Sequence, residues 1–504
     1  MTEPVFPEGI LSLERSADVP LAEQIYRGFR DAVRTGLLRS GTKLPSTRRL
    51  AASLNVGRNT VNTAYDLLQA EGVITVRTGA APRITEGLVL EGVQAQRKVE
   101  AFGLKLSQRG RTLSANLRGE GWAYRQGGLQ PGAPALDLFP YEEWARSLRR
   151  AARLERSADL HYQNFAGLEA LKRQIARHLA AERGVRADPH RILVTSSTQA
   201  SLTMLSQVLT DPGDDVWLEE PGYLGARTAF SGAGLTIRPL PTDGEGADAS
   251  KMAHLDQPPK LIYVTPSHHY PLGARMPLAR RLMLLDVART CGAVILEDDY
   301  DSEFLFEGRP VAALHGLADE GQVVYMGTFA KSLLPGLRIA YCVVPEVLVA
   351  PLTQTMRNIG CSANVQAQAA LAHFMDSGAY QKHLKQIRPV YLERGTMLAG
   401  ALRQRLGNRV EVAPLTGNVQ LTVMFREPVN DIALAVAMQD RGFAVSPLSN
   451  CYLTEGGRPG LIVGFAGANA RQIEEGVDTL AGLLGTGHAC CPVFLQSRMV
   501  GTSP

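Results

Sequence analysis

Between residues 190 and 345 the chain passes through seven short apolar runs, RILVTS, DDVWLEE, LTIRPL, KLIYVTP, CGAVILEDD, VVYMGT and RIAYCVV, bounded by Gly or Pro turns and separated by helical stretches. Runs this short and this apolar, alternating with helices, predict a largely parallel sheet covered on both faces. In such sheets binding sites fall at the carboxyl ends of the strands. Polar residues cluster there: Ser196-Ser197-Thr198-Gln199 after ILVT, Glu219-Glu220-Pro221-Gly222-Tyr223 after VWL, Thr265-Pro266-Ser267-His268 after IYV, Asp298-Asp299-Tyr300 after VILE, and Gly327-Thr328-Phe329-Ala330-Lys331 after VVYM.

The 504 residues exceed what one hydrophobic core usually serves, and 45% apolar content is enough to bury two or three. No run of 18 apolar residues occurs and MTEPVFPEGI lacks the basic and apolar regions of a signal peptide, so a cytoplasmic protein without a membrane segment is expected. Cys291, Cys342, Cys361, Cys451, Cys490 and Cys491 show no CxxC or CxxH spacing. That pattern fits reduced thiols better than disulfides, and no metal site is expected.

The net charge of +4 is unevenly placed. Residues 20–85 carry ten Lys or Arg against four acids, and residues 86–125 seven against four, so the positive charge lies at one end, as contact with a polyanion would require. There, PLAEQIYRGFRDAVRTGLL puts Leu21, Ile25, Phe29 and Val33 on one stripe of a helix that stops near Gly36. Pro45-Ser46 opens a second helix with Leu50, Ala51 and Leu54 inward. After the Asn55-Val56-Gly57 turn, a third helix from about Arg58 to Ala70 buries Val61, Ala64, Tyr65 and Leu68. The order is that of a helix-turn-helix. VITVRTGAAPRI then predicts a two-stranded wing with Arg77 at its tip. Arg48 and Arg49 suit phosphate contacts, whereas Arg58, Asn59, Thr60 and Asn62 can reach base edges from the start of the third helix.

These residues, LPSTRRLA and RNTVNTAYDLLQAEG above all, resemble the DNA-binding domain of GntR-type regulators over about 65 positions, departing at the wing tip, where GAAPRI stands. The later segments resemble fold-type I aminotransferases, and the combination, from about residue 20 to 480, resembles MocR-type regulators. The resemblance implies an α/β architecture: a winged helix-turn-helix over 18–86, a linker over 87–125, an aminotransferase-like domain over 126–485 with a smaller C-terminal α+β part, and a flexible tail over 486–504.

It also implies pyridoxal 5′-phosphate as cofactor. Lys331, in VVYMGTFAKSLLPGLRIAY, is carried over as the Schiff-base lysine, with Thr328 and Arg338 as phosphate ligands. Ser196, Ser197 and Thr198 open a helix whose free N–H groups suit a phosphate, although the family often has Gly where Ser197 stands. Asp298 matches the carboxylate that pairs with the ring nitrogen, Tyr300 the phenol near the 3-oxygen, Tyr223 the ring that stacks, and Tyr162 a phosphate ligand from the partner subunit; His268 or His269 is placed near the 3-oxygen. Singly, a lysine after a strand, a DDY turn or a capped helix is ordinary. Their joint order, with Asp298 33 residues before Lys331 and Arg338 seven after it, points to cofactor binding.

Aminotransferases of this fold usually hold the substrate α-carboxylate with an Arg in the segment that here reads RPGLIVGFAG, and the matching position is read as Leu461, with Arg227, Arg388 and Arg458 as possible substitutes. That departure favours sensing over turnover: an amino compound forms an external aldimine in place of Lys331, and the change reaches the DNA-binding heads of a head-to-tail homodimer on paired half-sites of double-stranded DNA. Two alternatives stand beside it, a regulator that senses pyridoxal phosphate itself and an active aminotransferase with an accessory head.

Overall fold

The structure is a computed structural model, and it describes residues 10–76, 81–86, 105–115, 125–153, 163–252, 257–308 and 311–485. Arg77, Tyr162 and the segment 486–504 lie outside the described residues, as does most of the stretch expected to be a linker. The chain divides into two compact units, Met1–Lys105 and Leu106–Pro504.

In the first unit, α1 (Leu21–Arg34), α2 (Thr47–Leu54) and α3 (Arg58–Ala70) are followed by β1 (Ile74–Thr75) and β2 (Arg83–Ile84). Ile25, Phe29 and Val33 are the buried face of α1, while Leu21 is half-buried at its end. Ser46 caps α2 by accepting the Arg49 N–H, and Asn55 ends it in the left-handed region at φ 50°. The helices converge on Ile25, Phe29, Leu50, Val61 and Leu68, and the Tyr65 hydroxyl donates to the Pro45 carbonyl at 2.9 Å, fixing α3 against the entry to α2. β1 and β2 pair antiparallel, Ile74 opposite Ile84, which closes the same core from the wing side.

The second unit begins with α4 (Gln108–Ser114), a short helix capped by Ser107 that packs on α8 below. This helix lies within the span expected to be linker. Then come α5 (Tyr141–Ala152) and α6 (Glu169–Glu182). The main sheet holds β3 (Ile192–Thr195), β4 (Asp215–Glu220), β5 (Thr236–Asp243), β6 (Gly246–Ala247), β7 (Leu261–Val264), β8 (Val294–Asp299), β9 (Val323–Thr328) and β10 (Ala340–Val343) in the order β3-β10-β9-β8-β7-β4-β5-β6. All seven apolar runs are strands. β9, β8, β7, β4 and β5 are mutually parallel, and β10 runs against both its neighbours.

The interleaved helices are α7 (Thr198–Leu209), α8 (Leu224–Ala233), α9 (Leu278–Cys291) and α10 (Leu314–Leu317), followed by α11 (Glu346–Ile359), α12 (Val365–Asp376) and the 28-residue α13 (Ala379–Leu406). Sheet residues alternate between two apolar layers: Leu261 and Tyr263 pack with α7, α8 and α11, and Ile262 and Val264 with α9. The chain closes with a smaller antiparallel sheet, β11 (Val410–Val412), β12 (Gln420–Phe425), β13 (Ser446–Pro447) and β14 (Gly460–Gly464) in the order β11-β12-β14-β13, with α14 (Asp431–Gln439) and α15 (Ala470–Gly485) against it. Among the described residues no helix is long and apolar enough to cross a membrane, and no cluster of His, Cys, Asp and Glu could hold a metal.

Candidate functional site

The carboxyl ends of β3, β4, β7, β8 and β9 share one edge of the main sheet, where they border a cavity of about 690 Å³. The structure brings Ser196, Ser197, Thr198, Tyr223, Asp298, Tyr300, Thr328, Lys331 and Arg338 together in its wall. They come from five separate segments, which only the sheet order makes neighbours.

The sequence after β9 explains how Lys331 is presented. Phe329 is buried as an anchor, the Thr328 hydroxyl accepts the Ala330 N–H at 3.2 Å, and the turn that follows lets the Lys331 Nζ donate to the Gly132 carbonyl at 2.9 Å. Gly132 sits at φ +70°, and a Cβ there would collide with the Lys331 Nζ, so this close approach needs a glycine. Only eleven residues separate β9 from β10, too few for a crossover helix, so the chain turns back as an antiparallel strand. Arg338 lies in that turn, in the left-handed region at φ 53°, at the cavity mouth.

The pleat of β8 divides its two aspartates. Asp299 faces away from the cavity, where Arg183 Nε donates to it at 2.6 Å and the Tyr325 hydroxyl at 2.6 Å. Burial pushes its carboxyl up, but the Arg183 charge and the donated hydrogen bonds outweigh this and its pKa lies below the ordinary value. Asp298 faces the cavity. Its Oδ2 accepts the Tyr263 hydroxyl at 2.7 Å, and its buried Oδ1 has no partner among the described residues. Burial raises its pKa to about 7, against the lowering effect of the Tyr263 hydrogen bond and the Lys331 charge.

At the opposite wall, Ser197 caps α7 by accepting the Ala200 N–H at 3.1 Å, so the serine at this position is a helix cap. Tyr223 meets Tyr270 edge to face at 5.4 Å, and the Tyr300 hydroxyl accepts Asn418 Nδ2 at 3.2 Å.

Some expectations are placed elsewhere. Neither His268 nor His269 lines the cavity. His268 is buried behind it with Nδ1 2.8 Å from Asp301, beside a second cavity of about 160 Å³ bordered by Arg183, Arg275, Arg281 and Arg388. Leu461 also misses the cavity: it packs in the core of the small sheet, and Ile462, one residue on and across the pleat, forms the wall. None of the three candidate arginines replaces a cation there. Arg227 donates to the Tyr452 carbonyl, Arg388 to the Glu303 carbonyl, and Arg458 pairs with Glu411 at 2.8 Å. Gly132, Tyr263, Asn418 and Gln420 carry no local signal: Tyr263 is identified by its contact with Asp298, 35 residues on, Asn418 by Tyr300, 118 residues away, and Gly132 by Lys331, 199 residues away.

In the first unit, Arg48, Arg49, Arg58 and Asn59 are exposed, and Thr60 and Asn62 half-exposed, on the helices expected to meet DNA. Arg48, Arg49 and Arg58 form no ion pair among the described residues, and Arg58 makes only a long hydrogen bond, 3.4 Å, to Thr47.

The fold and cavity define an aminotransferase-like domain carried behind a winged helix-turn-helix. Residues 128–480 match the aminotransferase class I and II family and residues 21–84 the gntR family of bacterial regulatory proteins. The probable rhizopine catabolism regulatory protein MocR of Rhizobium meliloti is 38% identical over 472 residues, 94% of this chain and 95% of that protein. The pyridoxine biosynthesis regulator PdxR of Corynebacterium glutamicum is 28% identical over 460 residues, 89% and 95% of the two chains. Among solved structures, LysN of Thermus thermophilus, an α-aminoadipate aminotransferase complexed with N-(5′-phosphopyridoxyl)-L-leucine, superposes with a TM-score of 0.69 at 26% identity, covering 76% of this chain and 98% of that one. The chain belongs to the MocR-type GntR transcription regulators, which join a GntR helix-turn-helix to an aminotransferase-like domain.

Proposed function

We propose that this regulator carries pyridoxal 5′-phosphate on Lys331 and responds to an amino compound in the same cavity, altering how its helix-turn-helix units engage paired half-sites on DNA. The observation that carries the reading is the unpaired, buried Oδ1 of Asp298 in the same cavity as the Lys331 amine. A buried carboxylate oxygen without a partner is costly unless a donor arrives. The protonated nitrogen of a pyridine ring is such a donor.

When bound, pyridoxal phosphate supplies an aldehyde that condenses reversibly with amines and a ring that withdraws electrons. Lys331 contributes the amine, aimed by its hydrogen bond to the Gly132 carbonyl. Asp298, oriented by Tyr263, would accept the proton of a ring nitrogen on its open oxygen. The N-terminus of α7 with Ser196, Ser197 and Thr198, together with Thr328 and Arg338, forms the phosphate cradle, the guanidinium offering a planar fork to the dianion. Tyr223 and Tyr300, the latter held by Asn418, would flank the ring from the cavity wall. Arg48 and Arg49 contact DNA phosphates, and Arg58, Asn59, Thr60 and Asn62 contact base edges.

The testing experiment is an absorbance titration of the purified protein with a panel of amines and amino acids, beside Lys331→Ala. The expected result is a Lys331-dependent band that one class of amine shifts and holds, with a parallel change in operator affinity. A band that instead disappears with an amino donor and recovers with a keto acid assigns the chain to turnover. A Lys331→Ala protein that keeps the band refutes the lysine assignment.

A further inference from the structure

The charged side chains that line the large cavity are Asp298, Lys331 and Arg338, among the described residues. In the reading above all three serve the cofactor. What is left of the wall for an incoming amine is neutral: Ile462 of β14, its cross-strand neighbour Ser446, Asn450 and Gln420 of β12. Gln420 is 4% exposed and its Nε2 has no partner among the described residues. It stands beside the reactive lysine: the Cβ position of Gly132, which would collide with the Lys331 Nζ, is 3.9 Å from the Gln420 Oε1.

We propose, resting on that cofactor reading, that the effector is a primary amine with no carboxylate on the amine-bearing carbon, recognised through a neutral oxygen that accepts from Gln420 Nε2. Among the described residues no cation lines the wall beside Ile462, so a carboxylate driven against it would lose its hydration unreplaced, and an unpaired buried charge is strongly disfavoured. A hydroxyl or amide oxygen at the same place gives the buried Gln420 amide its missing acceptor. A site built to hydrogen-bond one group discriminates well against ligands that lack it.

The test uses the intact protein loaded with pyridoxal phosphate and two pairs of amines that differ only in the α-carboxylate, 2-aminoethanol with L-serine and 1-amino-2-propanol with L-threonine. Half-saturation of the shift in the Lys331-dependent band is read for each. The expected result is at least a tenfold preference for the decarboxylated member, 2-aminoethanol above all. Gln420→Leu should weaken the response to 2-aminoethanol about tenfold relative to its own starting band, and Ile462→Arg should move the preference toward L-serine. Equal or stronger response to L-serine in the unaltered protein, or silence toward all four compounds, overturns the proposal and needs no variant to fold. Absence of a Lys331-dependent band before any amine is added overturns instead the cofactor reading beneath it.

Discussion

The hydroxyl of Tyr263 donates to Asp298 Oδ2 at 2.7 Å across two adjacent parallel strands, β7 and β8, and leaves Oδ1 free toward the cavity. Both side chains are buried, so the contact fixes the carboxylate at little entropic cost when a ligand arrives. Tyr263→Phe removes the donor and leaves a second oxygen unsatisfied. The variant should lose about 1–3 kcal/mol of stability and bind pyridoxal phosphate several-fold more weakly while keeping the Lys331-dependent band. Denaturant unfolding and a cofactor titration check this; unchanged stability would mean that the hydroxyl does not support Asp298.

Asp298 also makes the cofactor-free protein sensitive to pH. Its pKa is raised to about 7, above the value of about 4 in an unfolded chain. Between these limits the folded state binds the extra proton, so stability from this group is greatest at low pH and falls as pH rises through about 7. Asp298→Asn removes the term. Without cofactor, the variant should gain in melting temperature relative to the parent as pH goes from 5 to 8, by a few degrees. Glu219, which the Asp298 charge helps to raise, relaxes toward its ordinary value in the variant and moves the difference in the same direction. With cofactor bound the advantage should vanish or reverse, because the parent then has a cation to face. A difference between the two proteins that stays flat with pH would show that Asp298 is not the titrating group.

Gly132 admits no side chain, both because of its φ of +70° and because the Lys331 Nζ occupies the space of a Cβ. Gly132→Ala should cost roughly 1–2 kcal/mol in backbone strain and push the lysine amine off its hydrogen bond to the carbonyl. The measurable consequence is a Lys331-dependent band that forms at least tenfold more weakly in cofactor titration, with operator binding by the helix-turn-helix retained. Wild-type cofactor affinity in this variant would mean that the approach of the two groups is dispensable.

Much of this site could be read from local sequence, because its residues follow recognisable strands. The runs VILEDDY and VVYMGTFAK announce their own strand ends, and the α3 boundaries, Arg58 and Ala70, follow from Gly57 before and Glu71-Gly72 after. Local pattern does not carry the pleat. Leu461 and Ile462 are both apolar and adjacent, and only cross-strand pairing with β12 and β13 decides which one meets the cavity. His268 is the same kind of case: it follows a strand end, as site residues do, but its ring pairs with the buried Asp301 and does not line the cavity. The Lys331 to Gly132 contact spans 199 residues and left no periodicity to find.

The DNA-facing residues separate into two kinds by the same logic of exposure and partners. Arg49 is exposed and unpaired among the described residues; its backbone N–H caps α2 through Ser46, which alanine would preserve. Arg49→Ala should therefore leave thermal unfolding unchanged, weaken binding to all sequences alike, and reduce the slope of log affinity against log salt by about 1. Asn62 is half-exposed on the outer face of α3, next to the buried Val61, with an amide able to make two hydrogen bonds to a base edge. Asn62→Ala should keep the salt slope and instead lose about 1–3 kcal/mol of discrimination at one base pair of each half-site. Binding curves at several salt concentrations, on the operator and on a scrambled duplex, distinguish the two. If both variants lowered only the salt slope, α3 would be touching phosphates and the base-reading role would pass to another element.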